Sequence, residues 1–303
     1  MEVTFLGTSS AVHSKERNHP SIAIKALGDV FLFDCGEGTQ RQLLFTNVSP
    51  MKISKIFITH FHGDHILGLP GLLQSMSLNG RETELTIYGP KGLNKLKDTI
   101  YSLGYCAIDY PVEFIEIDTG IIEETDEYVI KAQSVRHNVP SLAYCIEEKK
   151  KPRFLREKAI ELGVPIGPAF GRLHNGEEIE VDGKIIKPEQ VLGPPRKGTK
   201  ITYSGDTRPC EEMILFAQES TLLIHESTFI QKEAQNAEEY GHSTSQDAAF
   251  VARESNSEKL IITHISTRYG EEYAQIMLNE AQEIFENTEL ARDYMELDVR
   301  GKS

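Results

Sequence analysis

Residues 59–65, Thr59-His60-Phe61-His62-Gly63-Asp64-His65, place four metal-binding side chains within six positions. They come directly after Lys55-Ile56-Phe57-Ile58, an apolar run of the kind that forms a buried strand. A packed core cannot hold such a cluster, because each imidazole or carboxylate would need its own buried partner. Chance surface histidines are the plain alternative, and four ligand side chains in so short a stretch argue against it. A tight turn at the end of a strand would aim these groups at one point. His60 and His62 stand two apart and Asp64 and His65 follow, a spacing that can serve two neighbouring metal ions.

Three further strand-like runs end in the same chemistry. Ser134-Val135-Arg136-His137, Tyr203-Ser204-Gly205-Asp206 and Ile261-Ile262-Thr263-His264 each close an apolar run on a potential ligand. One histidine after a strand is more often a turn or capping residue. Recurrence beside the first cluster changes that weighting. Other apolar runs lie at residues 3–7, 29–34, 85–89 and 221–227, continuous as in strands covered on both faces. Helical patterns fall at residues 38–46, 70–78, 91–103, 211–217, 245–255 and 271–285. Strands mixed with helices predict a layered α/β protein. In such proteins sites gather outside the carboxyl ends of the strands.

The run Thr59–His65 resembles the signature of the metallo-β-lactamase superfamily, and His137, Asp206 and His264 follow in that superfamily's order. Asp34, in Leu32-Phe33-Asp34-Cys35-Gly36-Glu37-Gly38, matches its early structural aspartate. The resemblance covers nearly the whole chain. It implies a single metallo-β-lactamase domain over residues 1–303, a four-layer αβ/βα sandwich with an inserted projecting arm at residues 149–197. It also implies the ligand sets: His60, His62 and His137 for one ion, Asp64, His65 and His264 for the other, Asp206 bridging both. Imidazole-rich sites favour zinc, so two Zn2+ per chain are expected, with Mn2+ or Fe2+ left open.

Further motifs narrow the resemblance. FLGTSSAV (residues 5–12), FDCGEGTQRQL (33–43), HEST (225–228) and GHST (241–244) together resemble the short form of the tRNase Z family. HEST carries serine where that family has alanine. LGVPIGPAFGRLHNGE (162–177) resembles part of the family's flexible arm. HSKERN (13–18) matches, at Lys15, Arg17 and Asn18, a loop associated with rejecting tRNA that already ends in CCA; His13 stands where that loop has proline. The resemblance implies a zinc-dependent endoribonuclease that cuts the 3′ trailer from precursor tRNA. Asp64 would orient the attacking water, and His242 would protonate the leaving ribose oxygen, held in its charged form by Glu226. Lys15, Arg17, Asn18, Gly167 and Pro168 would meet the substrate, and the chain would form a homodimer. A hydrolase of small phosphodiesters, thioesters or lactones shares every metal ligand, and gives residues 149–197 no role.

Composition sets the remaining bounds. The 303 residues allow one large core or two modest domains. No run of 18 apolar residues exists, so no membrane span is expected. The N-terminal stretch lacks the basic start and apolar centre of a signal peptide. Cys35, Cys106, Cys145 and Cys210 form no CxxC pair and fit a reducing cytoplasm. The formal charge is −14, and an acidic surface repels phosphates. Residues 149–200 hold 12 Lys/Arg against 7 Asp/Glu, a net of +5 that leaves −19 on the rest. The same stretch is rich in glycine and proline and reads as an insertion between two strands. A solvated basic loop is the bland alternative; the tRNA reading makes it the docking segment.

Overall fold

The computed structural model describes residues 1–105, 107–268 and 270–301, so Cys106 lies outside the described residues. Two seven-stranded sheets dominate. The first runs in the order Glu296–Asp298, Glu2–Gly7, Ser21–Ala26, Asp29–Phe33, Ile53–Phe57, Leu85–Gly89, Val112–Glu116. Its pairings are antiparallel as far as Asp29–Phe33 and parallel beyond. The second runs Thr288–Leu290, Leu260–Thr263, Leu222–Glu226, Lys200–Tyr203, Ser141–Glu148, Tyr128–Val135, Gly120–Glu124. It is parallel from Thr288–Leu290 to Lys200–Tyr203, and Ser141–Glu148 pairs antiparallel to that last strand.

Alternation along the strands builds the layers. Phe5, Phe31 and Phe57 of the first sheet and Tyr144, Ile201 and Ile224 of the second meet in one buried cluster between the sheets. Their neighbours point the other way. Leu6, Leu32 and Ile56 pack under the helices Leu69–Leu78 and Leu93–Tyr101. Leu223 and Ile262 pack under the helices Glu211–Phe216, Ser245–Glu254 and Glu271–Gln282. The result is helix, sheet, sheet, helix, and it explains why the apolar runs are continuous. Each large side chain buried here contributes about 1.5–3 kcal/mol relative to exposure.

The expected strands are present, and three stop short of where the apolar runs end. Tyr128–Val135, Lys200–Tyr203 and Leu260–Thr263 finish one to three residues before His137, Asp206 and His264. Those residues therefore sit on the turns just beyond the strands. Sequence patterning did not mark Ser21–Ala26 or Ser141–Glu148 inside the sheets, nor the outer strands Val112–Glu116, Gly120–Glu124, Thr288–Leu290 and Glu296–Asp298. It also missed the helix Gly63–Ile66, which carries Asp64 and His65.

Residues 148–198 form a compact unit of their own. The stretch read as an inserted arm contains the helices Arg156–Glu161 and Pro168–His174 and a hairpin of Ile179–Val181 with Lys184–Ile186. Ala159, Val164, Leu173, Ile179, Ile186 and Val191 give it a small core. Its two ends lie side by side, since a Cβ on Gly198 would fall 1.8 Å from the Glu148 carbonyl oxygen. The basic side chains Arg153, Arg156, Lys158, Lys184 and Arg196 are exposed on it.

Candidate metal centre

The strand-end turns of both sheets bring the expected ligands together. One donor atom each from His60, His62, His137 and Asp206 lies within 4.8 Å of the others, and Asp64, His65 and His264 form a second such group. His60 Nε2 is 3.0 Å from His62 Nδ1, His137 Nε2 is 3.3 Å from the same atom, and His65 Nε2 is 3.3 Å from His264 Nε2. Asp206 stands between the groups, with Oδ2 at 3.6 Å from His60 Nε2 and Oδ1 at 3.5 Å from His264 Nε2. Asp64 Oδ2 is 3.4 Å from His264 Nε2 and 3.5 Å from His65 Nε2.

Most rings are held from behind. His65 Nδ1 meets Asp34 Oδ2 at 2.8 Å, His137 Nδ1 the Gly241 carbonyl at 2.7 Å, His264 Nδ1 Thr228 Oγ1 at 2.8 Å, and His60 Nδ1 Thr59 Oγ1 at 3.0 Å. Asp34 is fixed in turn by the Thr59 amide, the Thr59 hydroxyl and the Tyr203 hydroxyl. Such outer contacts set the tautomer and aim the free nitrogen. Gly205 makes the turn before Asp206 possible. It has φ +57°, and a Cβ there would lie 2.8 Å from the Leu142 carbonyl and 2.9 Å from the Thr59 side chain.

The donor set fits divalent ions. Asp206 Oδ1 is buried with no hydrogen-bond partner among the described residues. Ring nitrogens that face one another at 3.0–3.3 Å need a shared proton or a cation between them. Burial, then the neighbouring His65, push the His60 pKa well down, which keeps it neutral and able to ligate. Burial opposes charge on His65 as well, yet Asp206, Asp34 and Asp64 outweigh it and raise that pKa well above its ordinary value. An ion would displace that proton. Burial would raise Asp64, but His65 and His264 hold its carboxyl below the usual range.

A second pair stands beside the ligands. His242 follows Gly241, a left-handed helix end at φ +77°, and precedes Thr244, which caps the helix Ser245–Glu254. The short loop between two fixed helix ends leaves His242 little freedom. Its Nδ1 is 2.8 Å from Glu226 Oε1 and 3.8 Å from Asp206 Oδ2. Glu226 is 1% exposed and accepts from the Thr207 amide, the Thr228 amide and the Thr228 hydroxyl. Burial alone would discharge His242; the Glu226 carboxylate outweighs it and raises the imidazole pKa to about 9. With Nδ1 engaged, Nε2 is the proton left to give. Asp64, His242 and Asp206 line a cavity of about 650 Å³, together with Phe229, Tyr240 and Arg268.

Comparison with known proteins places this arrangement. The chain is 53% identical over 300 residues to the ribonuclease Z of Methanothermobacter thermautotrophicus, covering 99% of this chain and 97% of that one. It is 44% identical over 305 residues to the ribonuclease Z of Bacillus licheniformis, covering 99% of each. The chain belongs to the ribonuclease Z family. Human tRNase Z, short form, superposes with a TM-score of 0.71 at 27% identity, covering 99% of both chains. YhfI of Bacillus subtilis, described as a metallo-β-lactamase fold protein, superposes with a TM-score of 0.70 at 18% identity over 98% of both, which speaks to the fold alone. A family model described as anti-Pycsar protein Apyc1 matches residues 1–104. That stretch carries His60 to His65 but not His137, Asp206, His264 or residues 148–198.

Within this ribonuclease Z framework, the residues expected to meet substrate divide. Lys15 is exposed, as are Gly167 and Pro168. Arg17 is 7% exposed and donates to Thr8 Oγ1 at 2.8 Å and the Ala291 carbonyl at 2.7 Å, so it holds its loop from inside. Asn18 does the same through Nδ2 to the Glu37 carbonyl and its amide to Asp293. Thr228 went unmarked in the sequence, although it joins Glu226, His242 and His264. Its place as the last residue of HEST was the only signal. Phe229, Tyr240 and Arg268 left none, since each is an ordinary residue until the fold gathers them.

Proposed function

We propose that the chain is a zinc-dependent endoribonuclease that removes the 3′ trailer from precursor tRNA, leaving a tRNA 3′-hydroxyl and a trailer 5′-phosphate. The observation that carries this is the His242–Glu226 pair, 2.8 Å apart, with His242 lining the same cavity as the candidate ligands His62, Asp64, Asp206 and His264. A ribose 3′-alkoxide leaves poorly unless protonated, and a charged imidazole supplies that proton. Full-length relatives named ribonuclease Z support the substrate class.

His60, His62 and His137 would hold one ion, Asp64, His65 and His264 the other, with Asp206 shared. Two divalent ions bound there would activate water and offset the charge of the phosphodiester. Asp64, a carboxylate lining the cavity, would accept a hydrogen bond from the attacking water and orient it. His242 donates from Nε2 while Glu226 stabilises its charge. Phe229 and Tyr240, stacked with ring centroids 6.4 Å apart, offer an apolar wall for a base at the cut. The basic unit at residues 148–198 would take the tRNA body, read by shape and phosphates.

Two wider features belong to the same reading. Leu44 and Leu67, 79% and 59% exposed, line one groove and suit a second copy of the chain. Among the described residues no helix is long and apolar enough to cross a membrane; a cytoplasmic location is proposed from the tRNA-processing reading alone.

The test is incubation with precursor tRNA and, separately, with bis(p-nitrophenyl) phosphate. A single cut after the discriminator nucleotide, with a 5′-phosphate on the trailer, is expected. Turnover of the small diester with intact precursor tRNA would favour a small-molecule hydrolase.

A further inference from the structure

A second group of ligand side chains lies on the loop between Glu2–Gly7 and Ser21–Ala26. His13, His19 and Glu37 each place one donor atom within 4.8 Å of the others. The rings of His13 and His19 meet edge to face at 5.0 Å. His19 is 6% exposed, and neither of its ring nitrogens has a hydrogen-bond partner among the described residues. Burial, helped by the neighbouring His13, lowers its pKa against the charges of Asp64 and Glu37 and the Ala11 carbonyl, which favour the proton. It is thus a neutral, buried imidazole with no well-formed hydrogen bond and at most the Ala11 carbonyl near one nitrogen, a costly condition that an ion relieves.

We propose that His13, His19 and Glu37 form a third cation site, separate from the dinuclear centre, that takes a zinc-class ion. Two imidazoles and a carboxylate with a fourth position open to water are a common zinc set. His13 and Glu37 are exposed and can swing inward by the small distance needed, whereas His19 is fixed. Gly36 sits against it; a Cβ there would fall 2.4 Å from His19 Cβ and 2.2 Å from the Asp64 carbonyl. His13 and Glu37 line a cavity of about 300 Å³ that shares no lining residue with the 650 Å³ cavity. The ion would fasten residue 13 to residue 37. Ser10, Ala11 and Val12 lie on the same loop and line the larger cavity, so the ion would stiffen its rim. Asn18, already bonded to the Glu37 carbonyl at 2.8 Å, holds the two segments close enough for this.

The test compares the full chain with the double variant His13→Ala/Glu37→Gln after equilibration against buffered zinc. Elemental analysis should find about one ion fewer per chain in the variant, with bis(p-nitrophenyl) phosphate turnover unchanged. The comparison is repeated with Co2+ in an Asp206→Ala background, where the main centre is weakened. There the visible absorption of one bound cobalt should vanish with the double variant. Equal metal content in both backgrounds overturns the proposal. So does loss of more than one ion or of small-diester turnover, because the cluster would then be propping up the main centre. The Asp206→Ala background separates failure of this site from failure of the dinuclear reading.

Discussion

Single side chains carry the chemistry, and His242 separates the roles most sharply. Its Nδ1 lies 2.8 Å from Glu226 but also within reach of Asp206, and it shares a candidate ligand group with Asp206 and His264. If it is the acid, His242→Ala should slow the chemical step roughly 10²–10⁴-fold with metal content intact. Loss of an ion instead would make it a ligand. The raised pKa gives a signed pH dependence. The acid form is present below that pKa and disappears as pH rises through it, so activity should fall on the basic side. Glu226→Gln removes the carboxylate that holds the proton and should move this basic limb to lower pH. A limb at the same pH in Glu226→Gln would mean that another group titrates. Behind the ligands, Asp34→Asn should weaken metal binding about 10–100-fold, since it loosens the contact that fixes the His65 ring. Competition with a chelator of known affinity measures it.

At the level of elements, the centre is assembled from turns just past strand ends, and its backbone tolerates little. Gly205 makes one of these tight turns: a side chain there meets the Leu142 carbonyl and Thr59 at under 3 Å, in a left-handed conformation. Gly205→Ala should destabilise the metal-free chain by about 1–3 kcal/mol, the range for strained backbone. It should also weaken metal binding, because Asp206 is the next residue and Thr59 precedes His60. A urea midpoint and a chelator titration together check this. Stability loss without any change in metal affinity would show that the turn serves the sheet rather than the site. Gly241 works the same way from the other side, ending one helix so that His242 can reach Glu226 before Thr244 starts the next.

At the scale of the whole molecule, charge is divided. The chain carries −14 overall, with +5 on residues 149–200. An acidic body repels RNA, so a basic unit with its own small core is the expected docking point. Its ends are adjacent, and replacing residues 149–197 by a short Gly/Ser bridge should leave all seven candidate ligands in place. The truncated chain should keep hydrolysing bis(p-nitrophenyl) phosphate. Its affinity for precursor tRNA should drop and lose much of its salt dependence, because lysine and arginine contacts to phosphate release counterions. Equal affinity and equal salt slope in both proteins would rule the unit out as the docking site.

The candidate ligands were legible because metal chemistry needs rare residue types, and a strand followed by a turn delivers them from adjacent positions. His60, His62, Asp64 and His65 announce themselves within one stretch, and the alternation of Phe5 with Leu6 or Phe31 with Leu32 follows from continuous apolar runs. The arm was legible as charge and glycine, though not as a folded unit, because its core of six small and medium side chains has no strong period. What only the tertiary structure decided are contacts between residues far apart in the chain. Asp34 behind His65 and Thr228 behind His264 are pairings that no local pattern specifies. Arg17 illustrates the limit from the other side: the HSKERN resemblance implied a substrate contact, and in the fold its guanidinium turns inward to Thr8 and Ala291. His13, His19 and Glu37 read as loop residues until the fold set them side by side. Sequence fixes which donors exist and roughly where strands end; burial and long-range packing fix which nitrogen faces inward and which charge survives.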